Sequence, residues 1–282
     1  MRVPEYAIPQ DIELLSAERN RIAEVNSVYR CNAVRAGSPV SFYLKVCKST
    51  TATMDNERDA LIMLSGVNFP VPRVLWHGAD RRAFMALEER DGVILRDVLN
   101  PLSEDHKPHM TNRVLQELGE LVGWLHTIDV TWGEQKRTSL YGFLGEQEID
   151  DPRFREICDW LRSNQPESRH EVFVHGDLND ANVLVNGAHI SAILDWESAG
   201  IGWREYELAW ILRERRNYMN HPKNREYFLS GYTAKSEYDP AALRWCEVMN
   251  CLHVAFWCRD QYRNFMDFNL EKAREAMVRT NP

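Results

Sequence analysis

No run of about 18 apolar residues occurs in this 282-residue chain, so no segment is expected to cross a bilayer as a helix. The opening residues MRVPEYAIPQ lack the basic start and apolar stretch of a secretory signal, which points to a cytoplasmic protein. Basic residues are in deficit, with 34 Lys and Arg against 42 Asp and Glu for a formal net charge of −8. Phosphate backbones reward clustered Lys and Arg, so neither nucleic acid nor a membrane surface is an expected partner. An acidic protein can, however, hold a cationic small molecule. Six cysteines are scattered without a C-x-x-C pair, and a chain of this size needs no covalent staples, so reduced and mostly buried thiols are expected. Internal repeats and low-complexity tracts are also lacking, which removes any ground for a solenoid or a disordered tail.

What is there is ordinary globular composition, 44% hydrophobic and 27% charged, enough for one two-lobed unit or two modest domains. The stretch 25–46 carries the turn cluster Ala36-Gly-Ser-Pro39 before the β-rich run Val40-Ser-Phe-Tyr-Leu-Lys-Val46, which predicts a hairpin ending in a strand. A helix is expected over 56–64, then strands over 71–76 and 83–87 around the polar turn 78–82. Gly92 marks a hinge, so the division falls near residue 90, giving domains 1–89 and 90–282. Beyond it, Val114, Leu118, Leu121, Leu125 and Ile128 recur at helical spacing, and Asp151-Pro152 starts another helix by capping. From about residue 203 the chain reads mainly as helix.

The informative segment is Glu171-Val-Phe-Val-His-Gly-Asp-Leu-Asn-Asp-Ala-Asn-Val-Leu-Val-Asn-Gly-Ala-His-Ile-Ser-Ala-Ile-Leu-Asp-Trp-Glu197. Asn186-Gly187 between the apolar runs 183–185 and 190–194 is a strong hairpin signal. Such a hairpin brings Asn182, before its first strand, close to Asp195, after its second, and Asp177 five residues earlier can complete a trio. Phosphoryl transfer from a metal-bound nucleotide needs oxygen ligands for Mg²⁺ and a carboxylate to orient and deprotonate a hydroxyl. Asn182 and Asp195 suit the metal, Asp177 the nucleophile. Taken singly, each is equally a turn residue beside a hairpin.

His175-Gly-Asp-Leu-x-x-x-Asn182 followed by Ile193-Leu-Asp-Trp-Glu197 resembles the catalytic loop and metal motif of the aminoglycoside phosphotransferase/choline kinase family, a branch of the protein-kinase-like fold. The resemblance spans about residues 20–215. It implies an α+β, two-lobed architecture, with a small antiparallel-sheet N-terminal lobe bearing one helix and a larger, mainly helical C-terminal lobe. ATP and Mg²⁺ are the implied cofactors, Asp177 the implied base, and Asn182 and Asp195 the implied ligands. His175 is expected to organise the loop by hydrogen bonding. The kinase pattern also needs a strand lysine and a helix carboxylate, places filled by Lys45 and Glu57. Read alone, Lys45 is equally an edge-strand lysine facing water. Backbone groups around Leu87, Glu88 and Glu89 are implied to face the adenine.

Departures from the pattern carry expectations too. The phosphate-covering segment Ala23-Glu-Val-Asn-Ser-Val-Tyr29 has no glycine, leaving the Ser27 side chain, with Asn26 beside it, as the candidate donor. Glu207 stands where an aspartate braces the family's catalytic loop. Trp196, Trp203 and Trp210 read as packing aromatics. Trp257, Asp260, Tyr262 and Asp267 could serve a sugar- or amine-bearing acceptor, or belong to a solvated amphipathic helix. The expectation is an ATP-dependent O-phosphotransferase acting on a hydroxyl of an aminoglycoside-like, amino-alcohol or sugar-like molecule. Its rival is a catalytically weak nucleotide-binding or interaction module. A protein-substrate kinase is disfavoured because no Ala-Pro-Glu pattern follows Asp195.

Overall fold

A computed structural model describes residues 3–20, 26–48, 53–79, 82–130, 151–167, 170–213 and 218–279. The chain divides into two compact units, Met1–Val93 with Asn182–Ser198, and Ile94–Ala181 with Ala199–Pro282. An antiparallel sheet dominates the first and helices the second, the α+β division expected from the sequence.

In the first unit β1 (Ile12–Asn20), β2 (Asn26–Arg35), β3 (Ser38–Cys47), β4 (Val74–Gly78) and β5 (Phe84–Glu88) form one sheet in the order β1-β2-β3-β5-β4. Ala36 and Gly37, both at positive φ, make the two-residue link that matches strand twist, so the β2–β3 turn is shorter than the cluster 36–39. Pro39 lies beyond the reach of β5, which pairs only with Phe42–Val46, so its missing N–H costs the central ladder nothing. Period-two alternation puts Tyr29, Cys31, Phe42, Leu44, Val46, Phe84 and Ala86 into one core. Burying such large side chains stabilises by about 1.5–3 kcal/mol each.

Between β3 and β4 runs α1 (Thr53–Gly66), longer than the predicted 56–64, which buries Met54, Glu57, Ala60, Leu61 and Leu64 along one side. Strand β4 starts at Val74 instead of residue 71, because Pro72 has no N–H to give a ladder. The hairpin of β8 (Val183–Asn186) and β9 (His189–Ile193) also belongs to this unit, turning at Gly187 with φ 60°.

In the second unit a short ribbon pairs β7 (Glu171–Val174) with β10 (Gly200–Trp203), the latter beginning three residues before the helical stretch expected from 203; the two-residue β6 (Val93–Ile94) lies where the units join along the chain. The helices are α2 (Leu95–Leu99), α3 (Thr111–Leu125), α4 (Pro152–Ser163), α5 (Arg204–Ile211), α6 (Pro222–Thr233), α7 (Pro240–Cys258) and α8 (Arg263–Val278). Asp151 caps α4 by accepting the Arg153 N–H, and Asp239 caps α7 by accepting that of Ala241. Helices α3 and α6 approach so closely that a Cβ at Gly119 or Gly231 would run into the other helix's backbone. Among the described residues no helix is long and apolar enough to cross a membrane. All six cysteines are free thiols, four buried and two half-buried.

Candidate active site

Lys45 lies on β3, an interior strand, on the face opposite the core residues Leu44 and Val46. The water-facing edge lysine is thereby excluded. Its Nζ donates to both oxygens of Glu57 on α1, at 2.7 and 2.8 Å, and to Oδ1 of Asp195 at 3.0 Å. Side-chain exposure falls from 43% at Asp195 through 13% at Lys45 to 1% at Glu57, so the pair is buried and its outer carboxylate is wet. Burial by itself would lower the lysine pKa, but the charges and hydrogen bonds of Glu57 and Asp195 outweigh it and hold the ammonium above its ordinary range.

Asp195 sits just past β9 at φ 66°, a left-handed conformation that costs an L-residue about 1–2 kcal/mol. Its neighbours hold it there. Trp196 is fully buried, donates its indole N–H to the Ile193 carbonyl at 2.9 Å and meets Phe69 edge to face. Asn56 of α1 donates its amide to the Glu197 carbonyl at 2.9 Å. At the open end of the hairpin the Leu194 N–H donates to the Asn182 carbonyl at 2.8 Å, so Asn182 and Asp195 are brought together as the turn signal predicts.

The donor set, one amide and one carboxylate, suits Mg²⁺, which takes few protein ligands and completes its shell with phosphate oxygens and water. Among the described residues no cluster of three His, Cys, Asp or Glu forms a fuller metal cage. Ser27 is the second residue of β2, opposite Val46, and its Oγ and the neighbouring Asn26 Oδ1 are buried without a hydrogen-bond partner. Cross-strand partners share a face, so Ser27 lies with Val46 and Tyr29 on the core side of the sheet, away from Lys45 and from the place of the expected phosphate donor, whereas Asn26, opposite Cys47, lies on the lysine's face. The glycine-free stretch at 23–25 lies outside the described residues. Leu87 pairs with Tyr43 through the β3–β5 ladder, while Glu89 follows β5 and accepts from Arg30 Nε at 2.7 Å.

The loop carrying Asp177 belongs to the second unit and is organised from within. The Asp177 N–H donates to Nδ1 of the buried His175 at 3.2 Å. Asn179 donates its amide to the Asp177 carbonyl and accepts the Ala181 N–H. Arg96 of α2 grips Asp180 from Nε and Nη2 at 2.9 and 2.8 Å and donates its backbone N–H to the Asp180 carbonyl. Glu207 of α5 accepts the Gly176 N–H on Oε1 at 2.9 Å, the bracing expected of it, and its Oε2 lies 2.8 Å from His126 Nε2. His126 Nδ1 shares a hydrogen bond of 2.8 Å with the Tyr232 hydroxyl, whose pKa burial raises well above the usual phenol range.

His126, Tyr232, Arg96 and Asp180 were not singled out from sequence. A polar residue closing the apolar stripe of α3 was the only trace of His126. Trp196 packs as expected, and Trp203 lies beside Trp245 at 5.5 Å. Trp210 does more than pack: its indole N–H donates to Asp177 Oδ1 at 2.9 Å. Of the four acceptor candidates, Trp257 stacks on His253 and meets Trp210 edge to face, Asp260 and Tyr262 face solvent, and Asp267 pairs with Arg153.

Comparison with known proteins gives this arrangement its setting. The model of the phosphotransferase enzyme family matches residues 19–246. An aminoglycoside 3'-phosphotransferase of Enterococcus faecalis is 25% identical over 226 residues, covering 72% of this chain and 82% of that protein. A homoserine kinase of Pseudomonas aeruginosa is 27% identical over 199 residues, covering 61% of this chain and 62% of that one. Among solved structures, a thermostable aminoglycoside phosphotransferase mutant in complex with ADP and hygromycin B superposes with a TM-score of 0.68 at 18% identity, covering 94% of each chain. A choline/ethanolamine kinase family protein from Mesorhizobium loti gives 0.67 at 16% identity, covering 94% of this chain and 89% of that one. The resemblance drawn from the loop and metal motifs is borne out. The chain belongs to the phosphotransferase enzyme family, as a small-molecule kinase acting on a hydroxyl group.

Proposed function

We propose that the acceptor is a hydroxyl compound carrying an amino group, an aminoglycoside-like molecule or a smaller amino-alcohol, and that Asp177 is the base. The observation that carries the phosphotransfer reading is the buried Lys45–Glu57 pair reaching Asp195, three residues spread over 150 positions yet joined by contacts of 2.7–3.0 Å. Such a pair has no packing rationale, since two desolvated charges rarely outdo two apolar side chains of the same size. The acceptor class draws on the similar aminoglycoside phosphotransferase and homoserine kinase and on the net charge of −8, which favours an ammonium-bearing ligand.

In this reading residues 1–89 supply the nucleotide-holding lobe and 90–282 the catalytic and acceptor-binding lobe. Lys45, fixed by Glu57, contacts the phosphates, and backbone groups near Leu87 and Glu89 meet the adenine. Asn182 and Asp195 hold Mg²⁺, which when bound offsets charge on the phosphate oxygens. Asp177 accepts the hydroxyl proton as the acceptor oxygen bonds to the γ-phosphorus and the bond to the β,γ-bridging oxygen breaks, releasing ADP. The six free thiols fit a reducing cytoplasm.

The test is Mg²⁺-dependent ADP release against aminoglycosides, choline, homoserine and sugars, with Asp177→Ala as control. Acceptor-stimulated release that vanishes in the variant supports the reading. A variant as fast as the wild type removes Asp177 as base. Binding of MgATP with no release for any acceptor favours the alternative, a nucleotide-binding module, for which the glycine-free stretch speaks.

A further inference from the structure

Trp210 is the one side chain of α5 that reaches the carboxylate of Asp177 with a hydrogen-bond donor among the contacts described, and its ring is held on more than one side. Tyr206, one helical turn earlier, stacks on it at 6.4 Å with 17° between the planes. The Arg213 guanidinium lies over the ring at 3.7 Å, and the exposed Trp257 meets it edge to face at 6.4 Å. An indole whose only purpose were packing would have no need to aim its N–H at a particular oxygen, and the 2.9 Å contact to Oδ1 is a well-formed charge-assisted hydrogen bond.

We propose that Trp210 is a positioning residue of the phosphotransfer reaction, setting the rotation of the Asp177 carboxylate so that the acceptor hydroxyl meets it in line for transfer. The proposal rests on Asp177 being the base. A carboxylate bonded to Cβ turns freely unless something fixes one of its oxygens. Bonds to the 175–181 loop through Gly176, His175 and Asn179 fix where Asp177 stands, and the turn of its carboxylate calls for a second constraint on one of its oxygens. The indole supplies that second constraint from α5, the helix whose Glu207 braces the same loop, so one element sets both the position and the orientation of the base. Small losses of orientation are costly, because misplacement by about 1 Å can reduce turnover about 100-fold.

The experiment compares the wild type, Trp210→Phe, Asp177→Ala and a protein with benzothienylalanine in place of Trp210, which keeps the ring shape and removes only the N–H. Turnover is read as ADP release from MgATP with hygromycin B, choline or homoserine as acceptor, and with water alone. Both Trp210 variants are expected to lose about 10- to 100-fold in kcat while KM for ATP stays within about twofold. The Trp210 indole proton, observed by NMR and assigned with Trp210→Phe, is expected to move upfield and exchange faster with water in Asp177→Ala. Wild-type kcat in the benzothienylalanine protein, with Asp177→Ala inactive, overturns the positioning role and leaves Asp177 as base. Wild-type kcat in Asp177→Ala overturns the base itself, and with it the proposed function. An indole signal unmoved by Asp177→Ala overturns the hydrogen bond, whatever the acceptor.

Discussion

Glu207 holds the Gly176 N–H at 2.9 Å with one carboxylate oxygen and meets His126 Nε2 at 2.8 Å with the other. The 175–181 loop is thus tied, through one side chain, to the end of α3 and on to Tyr232 of α6. The side chains of His126 and Glu207 are almost wholly buried, so neither group can turn to water if its partner is lost.

Glu207→Ala is therefore expected to destabilise the protein by about 2–4 kcal/mol, because it strands a half-buried N–H and a fully buried imidazole together. The loop it braces should loosen as well, with kcat falling more than affinity for ATP. Urea unfolding and steady-state kinetics on the same variant check both. A variant with wild-type midpoint would show that the loop holds its shape without the brace.

The Lys45–Glu57 pair makes a sharper test, because opposite outcomes are expected from one substitution and from two. Lys45→Met leaves the buried Glu57 carboxylate uncompensated and should cost about 3–5 kcal/mol. Adding Glu57→Met removes that carboxylate, and most of the lost stability should return while phosphotransfer stays abolished. Additive losses in the double variant, measured by urea denaturation, would mean that the pair is not a coupled unit.

How much of this was legible follows the range of the interactions. The β8–β9 hairpin announced itself in Asn186-Gly187, and the loop, Lys45 and Glu57 carried motif signals in their immediate neighbours. Strand β1 left no such mark: as a sheet edge it is exposed nearly throughout, so Glu13, Ser16, Glu18 and Arg19 break the apolar alternation that reveals a strand. The β7–β10 ribbon pairs Glu171 with Trp203 across 32 positions of sequence and uses two glycines, with no turn to betray it. Trp210 was read as packing because the letter W reveals a large ring and says nothing about the direction of its N–H. Side-chain hydrogen bonds between distant residues depend on tertiary placement, which local pattern does not encode.

Asp195 combines a charge with a backbone strain, and substitutions can separate the two. Asp195→Asn keeps a side chain tolerant of the left-handed conformation at φ 66°, so stability should change by less than about 1 kcal/mol. Asp195→Val should cost about 1–2 kcal/mol more, since a β-branched residue is strained there. Both should bind ATP with equal affinity in the presence and absence of Mg²⁺, by titration calorimetry, whereas the wild type should bind more tightly with it. Mg²⁺ enhancement persisting in Asp195→Asn would remove Asp195 as a metal ligand.

His253 on α7 predicts an acid limb to stability. Its ring stacks on Trp257 and hydrogen-bonds the Tyr206 hydroxyl at 3.1 Å, and burial pushes its pKa down from 6.5 to about 4. With the folded-state value depressed, the unfolded chain takes up the proton first. The neutral imidazole's contribution is therefore complete above pH 6.5 and is lost as pH falls from there towards 4. At about 1.4 kcal/mol per pH unit the loss reaches about 3 kcal/mol. His253→Phe cannot titrate, so its stability should fall less steeply between pH 6.5 and 4 than the wild type's, while carboxylates contribute equally to both. Urea midpoints across that range decide the matter: parallel slopes would mean that His253 takes up its proton in the folded protein as readily as in the unfolded one.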